Sequence, residues 1–263
     1  MSARDIAERL RELRHLTAAR IGLRRAGTAQ MTSDILAFDL ACAQARDAVS
    51  APLDVARLLT DLAPLDCIAV HSAAADRPEY LLRPDLGRRL DDASAACLTH
   101  DNFDLVIVLG DGLSHRAVQT HGPPMVRALM LRLAHLRIAP IVIAQQARVA
   151  IADDVGERVG ARAAVILIGE RPGLSTHDSL GIYMTYEPRV GRSDAEKNCI
   201  SNIHDNGLSH AQAADQLANL LERAYVRRVS GIALNTTNER LAKPGDSQRL
   251  PSGGQEGRLR KPE

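Results

Sequence analysis

Tryptophan is absent from this chain, and its 263 residues include only two Phe and four Tyr. Single-stranded nucleic-acid grooves depend on aromatic stacking platforms, so this scarcity argues against that class of partner. The formal net charge is only +1. The cationic residues are scattered rather than blocked, which leaves no electrostatic footprint for nucleic acid or an anionic membrane. The four cysteines, Cys42, Cys67, Cys97 and Cys199, form no CxxC, which argues against zinc and thioredoxin-type chemistry. No apolar run approaches the roughly 18 residues of a membrane span, and no secretory h-region is present. A cytoplasmic chain with reduced thiols is therefore expected.

Catalytic signatures are missing too. None of the nine histidines falls in HExxH or another metal spacing, so no metal site is expected. Neither GxGxxG nor GxxxxGK[ST] occurs, which removes the dinucleotide and P-loop fingerprints. No Ser/His/Asp set, Cys/His set or acid–base pair announces itself. These gaps favour a binding subunit over a self-contained enzyme.

Aliphatic residues are what the chain has in quantity. Short apolar runs bounded by Gly, Pro or charge read as buried strands at 67–71, 103–109, 138–145, 163–168 and 180–186. Helical periodicity falls at 4–16, where Ile6, Leu10, Leu13 and Leu16 share a face. It recurs from a Thr32 or Ser33 cap to about 49, then at 56–62, 88–98, 115–136 and 151–160, and from a Ser209 cap through 228. Residues 76–79 and 83–87 read as turns. Strand, Gly-turn, helix, strand over 103–145 is a βαβ unit, hence parallel pairing. The expected fold is α/β: a Rossmann-like three-layer domain with a mostly parallel sheet over 51–234, preceded by an α-rich extension over 1–50. From 235 to 263 there is almost no apolar content, which predicts a disordered tail.

Three places invite a functional reading, each beside a plainer one. Gly110–Ser114 joins a strand to a helix and could present N–H groups to an anion, although Asp111 there would repel a phosphate. Ser114 as a helix N-cap is the plain alternative. Glu170, in Gly169-Glu170-Arg171-Pro172-Gly173, follows a buried strand at the edge where open α/β sheets bind ligands. A carboxylate there can accept bonds from ligand amides or hydroxyls, or simply brace the loop or pair with Arg171. Cys199 reads as a small buried hydrophobe or a reactive thiol, and a contact to a bulky ligand would need no thiolate. Val149 by itself is simply apolar.

Several longer motifs carry a resemblance. RVAIADDVGE (148–157), LIGERPGLS (167–175), DSLG (178–181) and NCISNI (198–203) resemble the small, or light, subunit of ethanolamine ammonia-lyase. ARIG and RAGT within 19–28, RPDLGRRL (83–90) and GDGLS (110–114) extend the similarity. It covers roughly Arg4 to Leu234, with Arg24 where the family pattern has Gly. The resemblance implies an adenosylcobalamin enzyme that converts ethanolamine to acetaldehyde and ammonia by a radical route. It implies a large barrel subunit that binds ethanolamine and carries the catalytic residues, with this chain closing over cobalamin at a hetero-oligomeric interface. By motif position it assigns Val149, Glu170 and Cys199 to the cofactor, bound base-on. No histidine follows an Asp by two residues, so the chain lacks the DxHxxG ligand of base-off proteins. Some members are housed in bacterial microcompartments. The alternatives are a Rossmann-like nucleotide-binding oxidoreductase and a purely structural partner subunit.

Overall fold

A computed structural model describes residues 25–239 without a break, together with residues 12, 13, 16, 17, 20, 21 and 23. The helix expected at 4–16, the Arg24 position and the chain beyond 239 lie outside the described residues, apart from isolated positions.

The first elements are a two-stranded antiparallel ribbon, β1 (Arg25–Ala26) and β2 (Ala29–Gln30). Helix α1 (Thr32–Ser50) follows. It starts one residue after Met31, which makes no side-chain cap, so neither Thr32 nor Ser33 is the N-cap residue. Next come α2 (Val55–Leu62), β3 (Cys67–His71), α3 (Arg77–Leu82) and α4 (Asp92–Ala96). The stretch read as a turn at 76–79 opens α3, because the Asp76 side chain accepts from Glu79 N–H. The helix expected over 88–98 shrinks to α4, because Leu90 instead forms a bridge to Ser72.

The centre is β4 (Leu105–Gly110), α5 (His115–Arg132), β5 (Ile141–Gln145), α6 (Ile151–Val159) and β6 (Ala163–Gly169). Then follow β7 (Leu180–Tyr186), β8 (Asn198–Ile203), α7 (His210–Arg227) and α8 (Ile232–Glu239). Helix α8 carries regular structure five residues into the stretch expected as a tail.

One sheet of six strands organises the body, in the order β3-β5-β4-β6-β7-β8. The first four are parallel, as the βαβ pattern requires, and β7 and β8 are antiparallel. Helices cover both faces, which is why β4 and β6 read as unbroken apolar runs. Leu105, Ile107 and Leu109 of β4 face α2, α5 and α7. Val106 and Val108 face the layer that holds α6. The result is a three-layer α/β fold with a mixed, mostly parallel sheet.

β8 was not legible as a strand. Only alternate or every third residue is buried in NCISNI, so no continuous apolar run marks it. Pairing with β7 fixes it as the sheet edge.

Candidate functional site

The C-terminal edge of the parallel strands gathers most of the motifs. Gly110–Ser114 leaves β4 and meets the end of β6 backbone to backbone. Leu113 N–H donates to Gly169 O at 3.0 Å. Gly112 has φ +56°, and a Cβ there would lie 2.3 Å from Gly169 O; one on Gly169 would lie 2.0 Å from Ser114 O. Only glycines permit this approach. Ser114 is the α5 N-cap: its Oγ accepts from Ala117 N–H and donates to His177 O. The turn is thus filled by the neighbouring loop rather than open to an anion.

Asp111 does not face outward, as its sequence position suggested. It is 3% exposed. Its carboxylate accepts from Gln146 N–H at 2.9 Å and Ala147 N–H at 2.8 Å, and pairs with Arg77. Those bonds hold Gln146 in the left-handed region, φ +52°, a conformation that costs a bulky residue about 1–2 kcal/mol. Burial pushes the Asp111 pKa up, against the amides and Arg77 that favour its charged form. Arg77 and Arg148 stack on the buried Tyr80 ring, 4.5 and 4.2 Å from its centroid. Arg148 N–H donates to Gly87 O at 2.7 Å. So the 83–90 and 148–157 motifs, far apart in sequence, are in contact.

Beside this edge, β7 and β8 extend the sheet on the α6 side. Tyr183 pairs with Ile166 of β6 and with Cys199 of β8. Directly paired residues share a face, so Tyr183 and Cys199 look toward the α6 layer with Ile166. Tyr183 favours the charged form of the Cys199 opposite it, but burial outweighs that effect. Burial, then the Cys199 charge, pushes the tyrosine up to about 12. Cys199 is exposed rather than the buried hydrophobe expected, because it stands on the sheet-edge strand; partial desolvation still raises its thiol pKa, with Glu170 adding to the rise. At neutral pH Cys199 is therefore a thiol, not a nucleophilic thiolate.

Glu170 completes the group. Its backbone N–H donates to Ser179 O at 3.0 Å, closing the 170–179 loop. Its Oε2 accepts from Ser179 Oγ at 2.5 Å. The brace is Ser179, not Arg171. Gly181 leaves room for the carboxylate, since a Cβ there would sit 3.0 Å from Glu170 Oε1. A carboxylate offers about four lone-pair positions, so one hydroxyl leaves capacity for ligand donors.

The structure thus brings Glu170 and Cys199 together around Tyr183, which sequence reasoning read only as a strand residue. Val149 stands just ahead of α6, half-buried at the rim of the same apolar layer as Tyr183. The arrangement is a shelf with apolar, thiol, phenol and carboxylate groups. The cavity of about 540 Å³ lined by Leu136, Leu221 and Tyr225 is remote from it, near the N-terminal ends of β4 and β6, where Tyr225 donates to Asp104 O. Among the described residues, no cluster of His, Cys, Asp and Glu is set to hold a metal ion. Nor is any helix among them long and apolar enough to cross a membrane.

Comparison with known proteins agrees on one family. Residues 7–235 match the model described as "Ethanolamine ammonia-lyase light chain (EutC)". A protein of Ralstonia nicotianae named ethanolamine ammonia-lyase small subunit is 49% identical over 237 residues, covering 86% of this chain and 88% of its own length. Its namesake in Azotobacter vinelandii is 50% identical over 238 residues, covering 87% and 88%. The one in Pseudomonas fluorescens Pf-5 is 49% identical over 233 residues, covering 85% of each.

Proposed function

The chain belongs to the ethanolamine ammonia-lyase small-subunit family, and on that premise we propose that it is the cobalamin-contacting subunit of such an enzyme. Its partner is the large subunit, which binds ethanolamine and carries the catalytic residues. The two chains would share adenosylcobalamin, and the product pair would be acetaldehyde and ammonia. The Rossmann-like reading of the three-layer domain belongs to the same proposal, as does a site of action inside the cell.

The observation that carries the reading is that β7 sets Gly181 against the Glu170 carboxylate, just beyond β6, and Tyr183 opposite Cys199 of β8. A corrin is broad and apolar across its faces, and amide side chains fringe it. Val149 offers an apolar contact at one side. Cys199, as a neutral thiol, packs without demanding a counter-charge. Glu170 would accept from an amide N–H, with Ser179 holding its other oxygen in place. Adenosylcobalamin supplies the radical chemistry; this chain's residues position it and help to exclude water. The open shelf supplies only one wall, which fits a subunit that needs a partner to enclose the cofactor.

Nucleotide binding at Gly110–Ser114 has no support. Gly169 fills the approach to the turn, and Asp111 is spent inside the protein.

Reconstitution tests the proposal. The chain is co-expressed with an ethanolamine ammonia-lyase large subunit, and acetaldehyde and ammonia are assayed with adenosylcobalamin and ethanolamine. Activity from the pair, and from neither chain alone, is the expected outcome. A chain that binds NAD(P) by itself and forms no complex overturns the reading. A complex whose cobalamin affinity equals that of the large subunit alone reduces this chain to a structural partner.

A further inference from the structure

Helix α1 is anchored to the body by one end. Near its C-terminus, Arg77 Nε donates to Val49 O at 2.7 Å, and the His115 ring donates to Ala48 O at 3.0 Å. Only Ala41 and Ala48 of its 19 residues are buried. The N-terminal half carries the large apolar side chains, and they are exposed: Leu36 by 62%, Leu40 by 60%, Phe38 by 45% and Ile35 by 43%. At 3.6 residues per turn, Leu36 and Leu40 lie on one flank of the body-facing stripe and Ile35 and Phe38 on the other, each roughly 100° round. A surface helix has one apolar stripe; a helix apolar on several sides belongs in an interior. This one therefore needs a cover that reaches both flanks.

The exposed half is tied to the loop that follows Glu170. The Arg20 guanidinium lies over the Phe38 ring, 5.5 Å from its centroid, and its Nη2 donates to Leu174 O at 3.4 Å. Leu174 closes the apolar end of the Glu170 loop and is itself 41% exposed. Arg20 thus bridges the exposed half of α1 to the loop that holds Glu170.

We infer that the Ile35, Leu36, Phe38 and Leu40 flanks of α1 form a docking surface for the large subunit, which receives the helix in a cleft. The inference rests on the proposed function. One amphipathic helix covers one flank only. A partner already required to close the adjacent shelf reaches both.

The test uses the full chain with Leu36→Glu and Leu40→Glu together, and a second variant with Leu36→Ser and Leu40→Ser. Each is mixed with purified large subunit, and the dissociation constant of the complex is measured by light scattering and titration. Because both residues are solvent-exposed, the isolated variants keep the wild-type circular dichroism and melting temperature. The expected result is complex formation weakened more than tenfold by the Glu pair and less by the Ser pair. Wild-type affinity in both variants overturns the docking while leaving the subunit reading intact. So does a wild-type small subunit that self-associates through α1, shown by a dimer that the Glu pair alone dissolves while the large-subunit complex persists. A lowered melting temperature in the isolated Ser variant assigns the face to this chain's own N-terminal stripe instead. A wild-type chain that never binds the large subunit overturns the subunit reading, and the docking with it.

Discussion

Glu170 shows how much a single residue owes to its surroundings. Its carboxylate is half-buried beside Gly181, with Ser179 fixing one oxygen. A hydrogen bond to a charged acceptor contributes about 1.5–3 kcal/mol. Glu170→Ala should therefore weaken cobalamin binding to the assembled enzyme by roughly tenfold or more, with subunit association unchanged. Equilibrium titration of the complex with cobalamin checks this, and an unaltered dissociation constant would remove Glu170 from the site. The position of Glu170 after a strand was readable in the sequence. Its partner was not: Arg171 is adjacent in the chain but exposed, whereas Ser179 is brought back by the loop's own closure. Asp111 taught the opposite lesson. A carboxylate in a Gly-turn looks exposed on paper, yet here two backbone amides and Arg77 draw it inside.

At the scale of elements, close backbone approach and helix contacts decide what can change. Gly169→Ala places a Cβ 2.0 Å from Ser114 O, and neither backbone can retreat. A loss of more than about 3 kcal/mol is expected. Gly173→Ala, whose Cβ would meet only Thr176 O at 3.5 Å, should be tolerated. Chemical denaturation of both variants tests the contrast, and equal stabilities would refute the packing argument. Helices α5 and α7 meet through two histidines. His121 is 1% exposed, and its Nδ1 lies 3.2 Å from His210 Nε2. Burial, then the charge of His210, holds its pKa below the ordinary 6.5; His204 adds to this, while Asp178 and Asp205 oppose it. The unfolded chain then takes up a proton at His121 that the folded chain refuses. Stability contributed here is full above the unfolded value and is lost as the pH falls below it. Melting temperatures at pH 7.5 and 5.5 should diverge more for the wild type than for His121→Gln. Parallel declines would show that the pair does not govern the slope.

At the scale of the whole molecule, a buried ion pair ties α6 to the β7–β8 edge of the sheet. Lys197, just before β8, bonds Asp153 in the first turn of α6, and also Thr185 of β7. Both charged side chains are only 2% exposed. Lys197→Met strands a buried carboxylate and should cost about 3–5 kcal/mol, whereas Lys197→Met with Asp153→Leu should regain most of it. Urea titration of the three proteins reads the difference. Equal losses in the single and double variants would mean that the pair adds nothing beyond packing.

The sequence by itself determined the alternation of strands and helices from β4 to β7, the parallel pairing around β4 and the burial of both sheet faces. Those follow from local periodicity and from apolar runs that have nowhere else to go. Its motifs also determined the family. It could not reveal β8, α3 or the meeting of Glu170, Tyr183 and Cys199. An edge strand with Asn and Ser at its open positions has no apolar signature, and α3 owes its start to the Asp76 side chain. Tyr183 meets Cys199 only because antiparallel pairing sets them opposite one another. Proximity between strands is a property of register, and register is settled by the pairing of the whole sheet.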